Sequence, residues 1–225
     1  MRRRYHQYCP VARALDVVGD RWTMLIVREL RLGPRRFTDL VAGVPGIGTS
    51  VLTARLKQLE QDGLVAKRTL PAPAASVVYE LTDDAVGLIA ILRAMANWGN
   101  NLLGQPRTDD HIQGHWLVLG LAVTAEPAPT LPDAAYELRI DDDILHIQAH
   151  GGLLYPFHGP ASDPAATITM SSQTLTAIAS GALEIPSRRA DKLIAIDGNP
   201  AHGQRLLESL SSSTRQRHAV RPFPH

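Results

Sequence analysis

The stretch Arg36 to Arg68, RFTDLVAGVPGIGTSVLTARLKQLEQDGLVAKR, restricts the fold more than any other part of the chain. Leu52, Leu56 and Leu59 recur at spacings that put them on one face of a helix running from Thr49 to Gln61. A shorter helix, Phe37 to Ala42, comes before it, across a turn from Gly43 to Gly48. Asp62-Gly63 stops the longer helix. Val65 to Leu70 and Val77 to Leu81 then alternate like two strands around a tip at Pro71 to Ser76. A short helix, a turn, an amphipathic helix and a hairpin, in that order, are the ground plan of a winged helix-turn-helix.

The leucine register divides the longer helix into two faces. Its apolar face must bury against neighbouring helices. The opposite face carries Ser50, Ala54, Lys57 and Gln61, with Thr53 on its flank, and small polar residues suit close approach to base edges. Gly48-Thr49-Ser50 begins the helix with free backbone N–H groups that suit a phosphate. Arg35 and Arg36 precede the short helix, and Lys67 and Arg68 stand at the base of the wing. The bland alternative, a small helical domain with a solvated basic face, accounts for the charge but not for the order of elements.

Helices are expected at Pro10 to Val18, Arg21 to Leu32 and Thr82 to Leu103. The last has Thr82 as its N-cap and a stripe of Leu88, Ile91, Leu92, Met95 and Trp98. Gly104 to Gly114 is rich in Gly, Pro, Asp and His and reads as a domain boundary. The expected layout is residues 1–104 as the DNA-binding and dimerisation domain, a linker at 105–114, a second domain at 115–210, and a flexible tail at 211–225.

In that second domain, Trp116 to Thr124 is strand or helix by periodicity. Strands are expected at Tyr136 to Ile140, Ile144 to Ala149, Leu153 to Phe157, Ala166 to Met170 and Leu193 to Ile196. Helices are expected at Thr174 to Leu183 and Ala201 to Leu210. The class is α+β.

The formal charge of +1 hides an asymmetry. Met1 to Gly104 holds 14 Lys and Arg against 9 Asp and Glu, a net of +5; the remainder holds 9 against 13, a net of −4. A basic front and an acidic back point to two modules with different partners. One cysteine, Cys9, excludes an intrachain disulfide framework. No apolar run follows the basic start and none is long enough to span a bilayer, so a cytoplasmic protein without a membrane partner is expected.

Walker, HExxH and nucleophile-elbow motifs are missing, so no catalytic residue and no cofactor are assigned. His146, Gln148 and His150 share a strand face, with His111 and His115 elsewhere, but no converging Cys or carboxylate joins them. No metal site is assigned. Asp141-Asp142-Asp143 reads as a turn.

Several segments also resemble HxlR-type winged helix-turn-helix regulators. They are Tyr8-Cys9-Pro10-Val11, Gly19 to Thr23, Arg36 to Leu40, Leu52 to Leu56, Asp62 to Val65 and Tyr79 to Thr82, within a match from about Tyr8 to Leu103. The resemblance implies a bacterial transcription regulator that binds double-stranded DNA as a homodimer, built from the first helix and the long helix ending near Leu103. With it, the DNA-binding set is Arg36, Thr49, Ser50, Thr53, Arg55, Lys57, Lys67 and Arg68. The chain departs from the family in having Gly48 where Ser is common, Ala85 where Gly is usual, and a Pro and Ala wing tip in place of a basic one.

The resemblance also implies a redox alternative, because several members sense oxidants or electrophiles through a cysteine at the place of Cys9. A helix N-terminus and Arg13 nearby favour thiolate. The other reading of Cys9 is a small buried side chain at the dimer seam.

Residues Tyr136 to Leu210 resemble the sterol-carrier-protein-like fold through Ala166 to Met170, Leu175 to Gly181, Leu193 to Asn199 and a closing helix. This implies helices over a sheet and an apolar tunnel for a hydrophobic small molecule. Leu154, Phe157, Ile168, Leu175, Ile178 and Leu183 would line it. Two alternatives stay open: the same residues form the core of a scaffold domain, or the chain is a hydrophobic-ligand carrier whose front half only dimerises.

Overall fold

The computed structural model describes residues 4–215 apart from Ala74, Gln105, Glu126 and Pro129. Its first elements are α1 (Pro10–Val18), α2 (Thr23–Arg31), β1 (Arg35–Arg36), α3 (Phe37–Gly43), α4 (Thr49–Gln61), β2 (Val65–Thr69), β3 (Val77–Leu81) and α5 (Val86–Asn100). The chain forms two compact units, Met1–Leu92 and Arg93–His225. The division therefore falls inside α5, ahead of the Gly104 to Gly114 stretch.

In the first unit, Leu52, Leu56 and Leu59 are buried in one core with Ile26, Leu30, Leu40, Val44, Ile47 and Val65. The leucine register of α4 is thus the observed one. Helix α2 begins at Thr23, two residues later than the apolar pattern suggests. The Asp20 carboxylate sets that start by accepting N–H bonds from Trp22 at 2.9 Å and Thr23 at 3.1 Å. Thr82 does not cap the long helix. Its hydroxyl donates to the Gly63 carbonyl oxygen at 2.6 Å, and a 3-10 turn at Asp83–Ala85 precedes α5.

Glu29, fully buried on α2, lies 2.9 Å from Arg28 and 3.7 Å from Arg35. Arg28 in turn donates to the Gly43 carbonyl oxygen at 2.7 Å. These contacts tie α2 to the end of α3 and to β1. A Cβ on Gly43 would stand 2.3 Å from the Glu29 carboxylate, so this site requires glycine for close approach.

The second unit continues with α6 (Gly114–Thr124), β4 (Ala134–Ile140), β5 (Asp143–His150), β6 (Leu153–His158), β7 (Ala166–Met170), α7 (Ser172–Ala179), β8 (Ala195–Gly198) and α8 (Pro200–Arg215). Its sheet order is β6-β5-β4-β7-β8. Only the β4–β7 pair is parallel; the other three are antiparallel. Tyr136, Leu138, Leu145, Ile147 and Ile168 fill the sheet's buried face. The segment at Trp116 is helical, with Val118, Leu119, Leu121 and Ala122 buried. Asp141 and Asp142 make the β4–β5 turn, Asp141 with φ of 51°.

The expected tail does not begin at Ser211. Helix α8 runs on to Arg215, with Leu206, Leu207, Leu210 and Ser211 buried; residues 216–225 lie outside the described residues. No described helix is long and apolar enough to cross a membrane.

Candidate nucleic-acid interface

Thr49, Ser50, Thr53 and Lys57 are exposed on α4, opposite its buried leucines. Gly48, the residue before α4, provides no side-chain cap, so the first N–H groups of the helix are left to an outside partner. The Thr53 hydroxyl donates to the Thr49 carbonyl oxygen at 2.8 Å. Its methyl and remaining acceptor capacity stay outward. Among the described residues no ion pair engages Lys57.

The other predicted residues divide into two groups. Arg36 is exposed at the start of α3. Its N–H donates to Asp39 at 3.1 Å, and its backbone pairs with Val78 in the wing sheet. The two-residue strand β1 that achieves this is too short to show any alternation in sequence. Lys67, on β2, stands 5.9 Å from the Tyr79 ring centroid and stays exposed.

Arg55 and Arg68 are engaged elsewhere. The Arg55 Nε lies 3.4 Å from an Asp20 oxygen, which draws the guanidinium toward the start of α2. Arg68 forms a fork with Glu80 at 3.0 and 2.9 Å, so its charge is offset at the wing base and its pKa is raised by that bond. Only pairing across folded elements brings these carboxylates to the arginines; Asp20 is distant in sequence from Arg55.

Cys9 is half-buried at the N-cap of α1, with extended backbone. Arg13, the cation expected to favour its thiolate, is 3.8 Å from Asp16.

Of the six proposed pocket residues, five pack as core and Phe157 is half-buried. Leu154, Ile168, Leu175, Ile178 and Leu183 are buried, and Phe157 stacks on His146 with centroids 5.3 Å apart. A cavity of about 20 Å³ is lined by Ile185, Pro186, Ala190, Ile194, Ile196 and Leu207 among others, and none of the six is in its wall. Such a volume holds little more than a water molecule.

The strand-face histidines have separate partners: the His146 Nδ1 meets the Gly159 carbonyl oxygen at 3.0 Å, and His150 pairs with Asp133 at 2.8 Å. Sequence reasoning weighed His115 only as a metal ligand and missed its partners. It is buried, its Nδ1 lies 3.2 Å from Asp143, and its ring is 4.8 Å from that of His158. The hydrogen bond from His115 holds the Asp143 carboxyl below its usual range. Only the folding of β5 and β6 against α6 assembles this group, so no local spacing announces it.

Known proteins share the first unit. A family model described as HxlR-like helix-turn-helix matches residues 17–107. The HTH-type transcriptional regulator YodB of Bacillus subtilis (strain 168) is 36% identical over 93 residues, covering 41% of this chain and 83% of YodB. The uncharacterized HTH-type transcriptional regulator YvaP of the same organism is also 36% identical over 93 residues, covering 41% of this chain and 86% of YvaP. Among solved structures, the reduced form of YodB is 34% identical, with a TM-score of 0.38 over 42% of this chain and 94% of that one. On these matches the chain belongs to the HxlR-like helix-turn-helix family of transcriptional regulators.

Proposed function

We propose that the protein binds its operator as a homodimer and that a hydrophobic effector in the second unit modulates this binding. The observation that carries the DNA-reading part is the open face of α4. Thr49, Ser50, Thr53 and Lys57 stand exposed directly behind three buried leucines, and Arg36 and Lys67 are exposed as well. A helix fixed from behind and bare in front is what insertion into a major groove demands.

The exposed apolar side chains of α1 and α5 support the dimer. Val11 is exposed on α1, as are Ile91, Met95 and Trp98 on α5. Large apolar groups left in water at helical spacing mark an association surface. The second unit supports a sterol-carrier-like reading through its topology. Three helices accompany a five-stranded sheet with one parallel crossover. An effector seated in the small cavity beside Ile194 and Leu207 widens it, which makes binding and conformational change one event.

Fluorescence anisotropy with the DNA upstream of the protein's own gene tests the reading. Binding that is selective at physiological salt supports it. Equal affinity for unrelated DNA rejects it in favour of the carrier reading. For the effector, molecules that copurify are identified by mass spectrometry, and the operator Kd is measured with and without them; equal values reject the coupling. The thiol alternative rests on the place of Cys9 at the start of α1. Operator binding by Cys9→Ser that still responds to diamide as the parent does would remove it.

A further inference from the structure

The first unit contains a cleft of about 810 Å³ on the flank of α4, whose wall includes none of Thr49, Ser50, Thr53 and Lys57. Its walls are the N-terminal segment at Arg4 and Tyr5, the end of α1 at Leu15, Asp16 and Val17, Gly19 and Asp20 after it, and the flank of α4 at Ala54, Arg55 and Gln58. This volume is within the range of small-molecule sites, roughly 300–1,000 Å³. The wall includes part of the reading helix itself.

The hydrogen-bond inventory of the wall selects the chemistry of an occupant. Its carboxylates are already engaged. Asp20 accepts from the N–H groups of Trp22 and Thr23 and from the Thr23 hydroxyl, and it forms an ion pair with Arg55. Asp16 has a side chain only 8% exposed; it accepts from the Tyr5 N–H at 2.9 Å and lies near Arg13. Gln58 donates to Asp62 at 3.2 Å.

Arg55, by contrast, meets Asp20 through Nε alone, at 3.4 Å, and its side chain is 40% exposed. The terminal nitrogens of its guanidinium retain donors, and Arg4 adds a second exposed guanidinium to the wall. Guanidinium forks match carboxylates in a bidentate manner. Tyr5, Leu15, Val17 and Ala54 supply apolar surface beside them.

We propose that this cleft binds a small organic carboxylate with a flat apolar body of one or two rings. Its carboxylate is held by Arg55 and Arg4, and its rings lie on Tyr5, Leu15 and Val17. Bound there, it bridges the N-terminal segment to α4 through Arg55 and biases the pose of the reading helix. The site depends only on the fold of the first unit, so its failure would leave operator binding and any ligand of the second unit untouched.

Calorimetric titration of the full chain, without DNA, tests the proposal with benzoate and naphthalene-2-carboxylate beside their neutral amides and inorganic phosphate. The expected result is saturable binding of the bicyclic acid, at least about tenfold tighter than its amide, and weakened about tenfold by Arg55→Gln or Arg4→Gln. If a variant loses its melting transition, methyl NMR of the parent protein decides instead: shifts at Leu15 and Val17 sustain the site, and shifts confined to Ile194 and Leu207 overturn it. Absence of saturable binding, equal binding of acid and amide, or equal binding of inorganic phosphate would each overturn it, the last by assigning the cleft to the DNA backbone.

Discussion

At Lys57, which no ion pair engages among the described residues, the proposed reading rests on one charge of a fixed helix. If its ammonium meets a phosphate, Lys57→Ala lowers affinity and reduces the slope of log K against log salt by about one. Anisotropy titrations from low to physiological salt measure both; an unchanged slope removes the contact. Arg68→Ala is expected to change the slope less, because Glu80 already offsets that charge. Asp143 offers a test of a different kind. Its folded pKa is depressed, chiefly by the hydrogen bond from His115, so its contribution is complete above the ordinary carboxylate range and disappears as pH falls through the lowered value. Asp143→Asn should therefore destabilise the protein near neutral pH, by under about 1 kcal/mol given its partial exposure. The difference in melting temperature should shrink as the pH falls below the ordinary carboxylate range and vanish once it has passed the lowered folded value; a gap that persists beyond that would mean a cause other than this charge.

Among the elements, the contact of α3 with α2 is the least tolerant of change. Gly43→Ala drives a methyl group onto the buried Glu29 carboxylate, which Arg28 and Arg35 hold in place. Overpacking of this kind costs about 1–3 kcal/mol, and chemical denaturation should show it as a lower midpoint. A loss is also expected for Glu29→Gln, which removes the buried charge that faces the half-buried Arg28 and Arg35. The elements legible in sequence were those whose signals are local. Helix α4 and strand β7 have the expected limits because the leucine spacing and the strand alternation each lie within one segment. Strand β1, the 3-10 turn before α5 and the extension of α8 were not legible. Each depends on a partner far along the chain: Val78 and Tyr79 for β1, Gly63 for Thr82, and the core that buries Leu206 and Leu210 for α8. The open face of α4 followed from its register, whereas the engagement of Arg55 by Asp20 needed the fold.

For the whole molecule, two copies are the functional unit under the proposed reading. Trp98 is 69% exposed on α5, and Trp98→Glu places a charge where the association surface requires an apolar ring. Sedimentation velocity is expected to show a monomer, and operator affinity should fall with it; a variant that stays dimeric places the interface elsewhere. The pairing of Arg55 with Asp20 has a consequence for locating this regulator's targets. Arginine with guanine is the commonest base-specific contact, and α4 holds no other arginine. Under the proposed reading, a half-site met by Thr49, Ser50, Thr53 and Lys57, with Arg55 drawn to the flank of α4 by Asp20, carries less information than one read by an arginine and recurs more often by chance. Target genes are to be sought by the fixed interval between two such degenerate words, since neither word alone distinguishes a promoter from background.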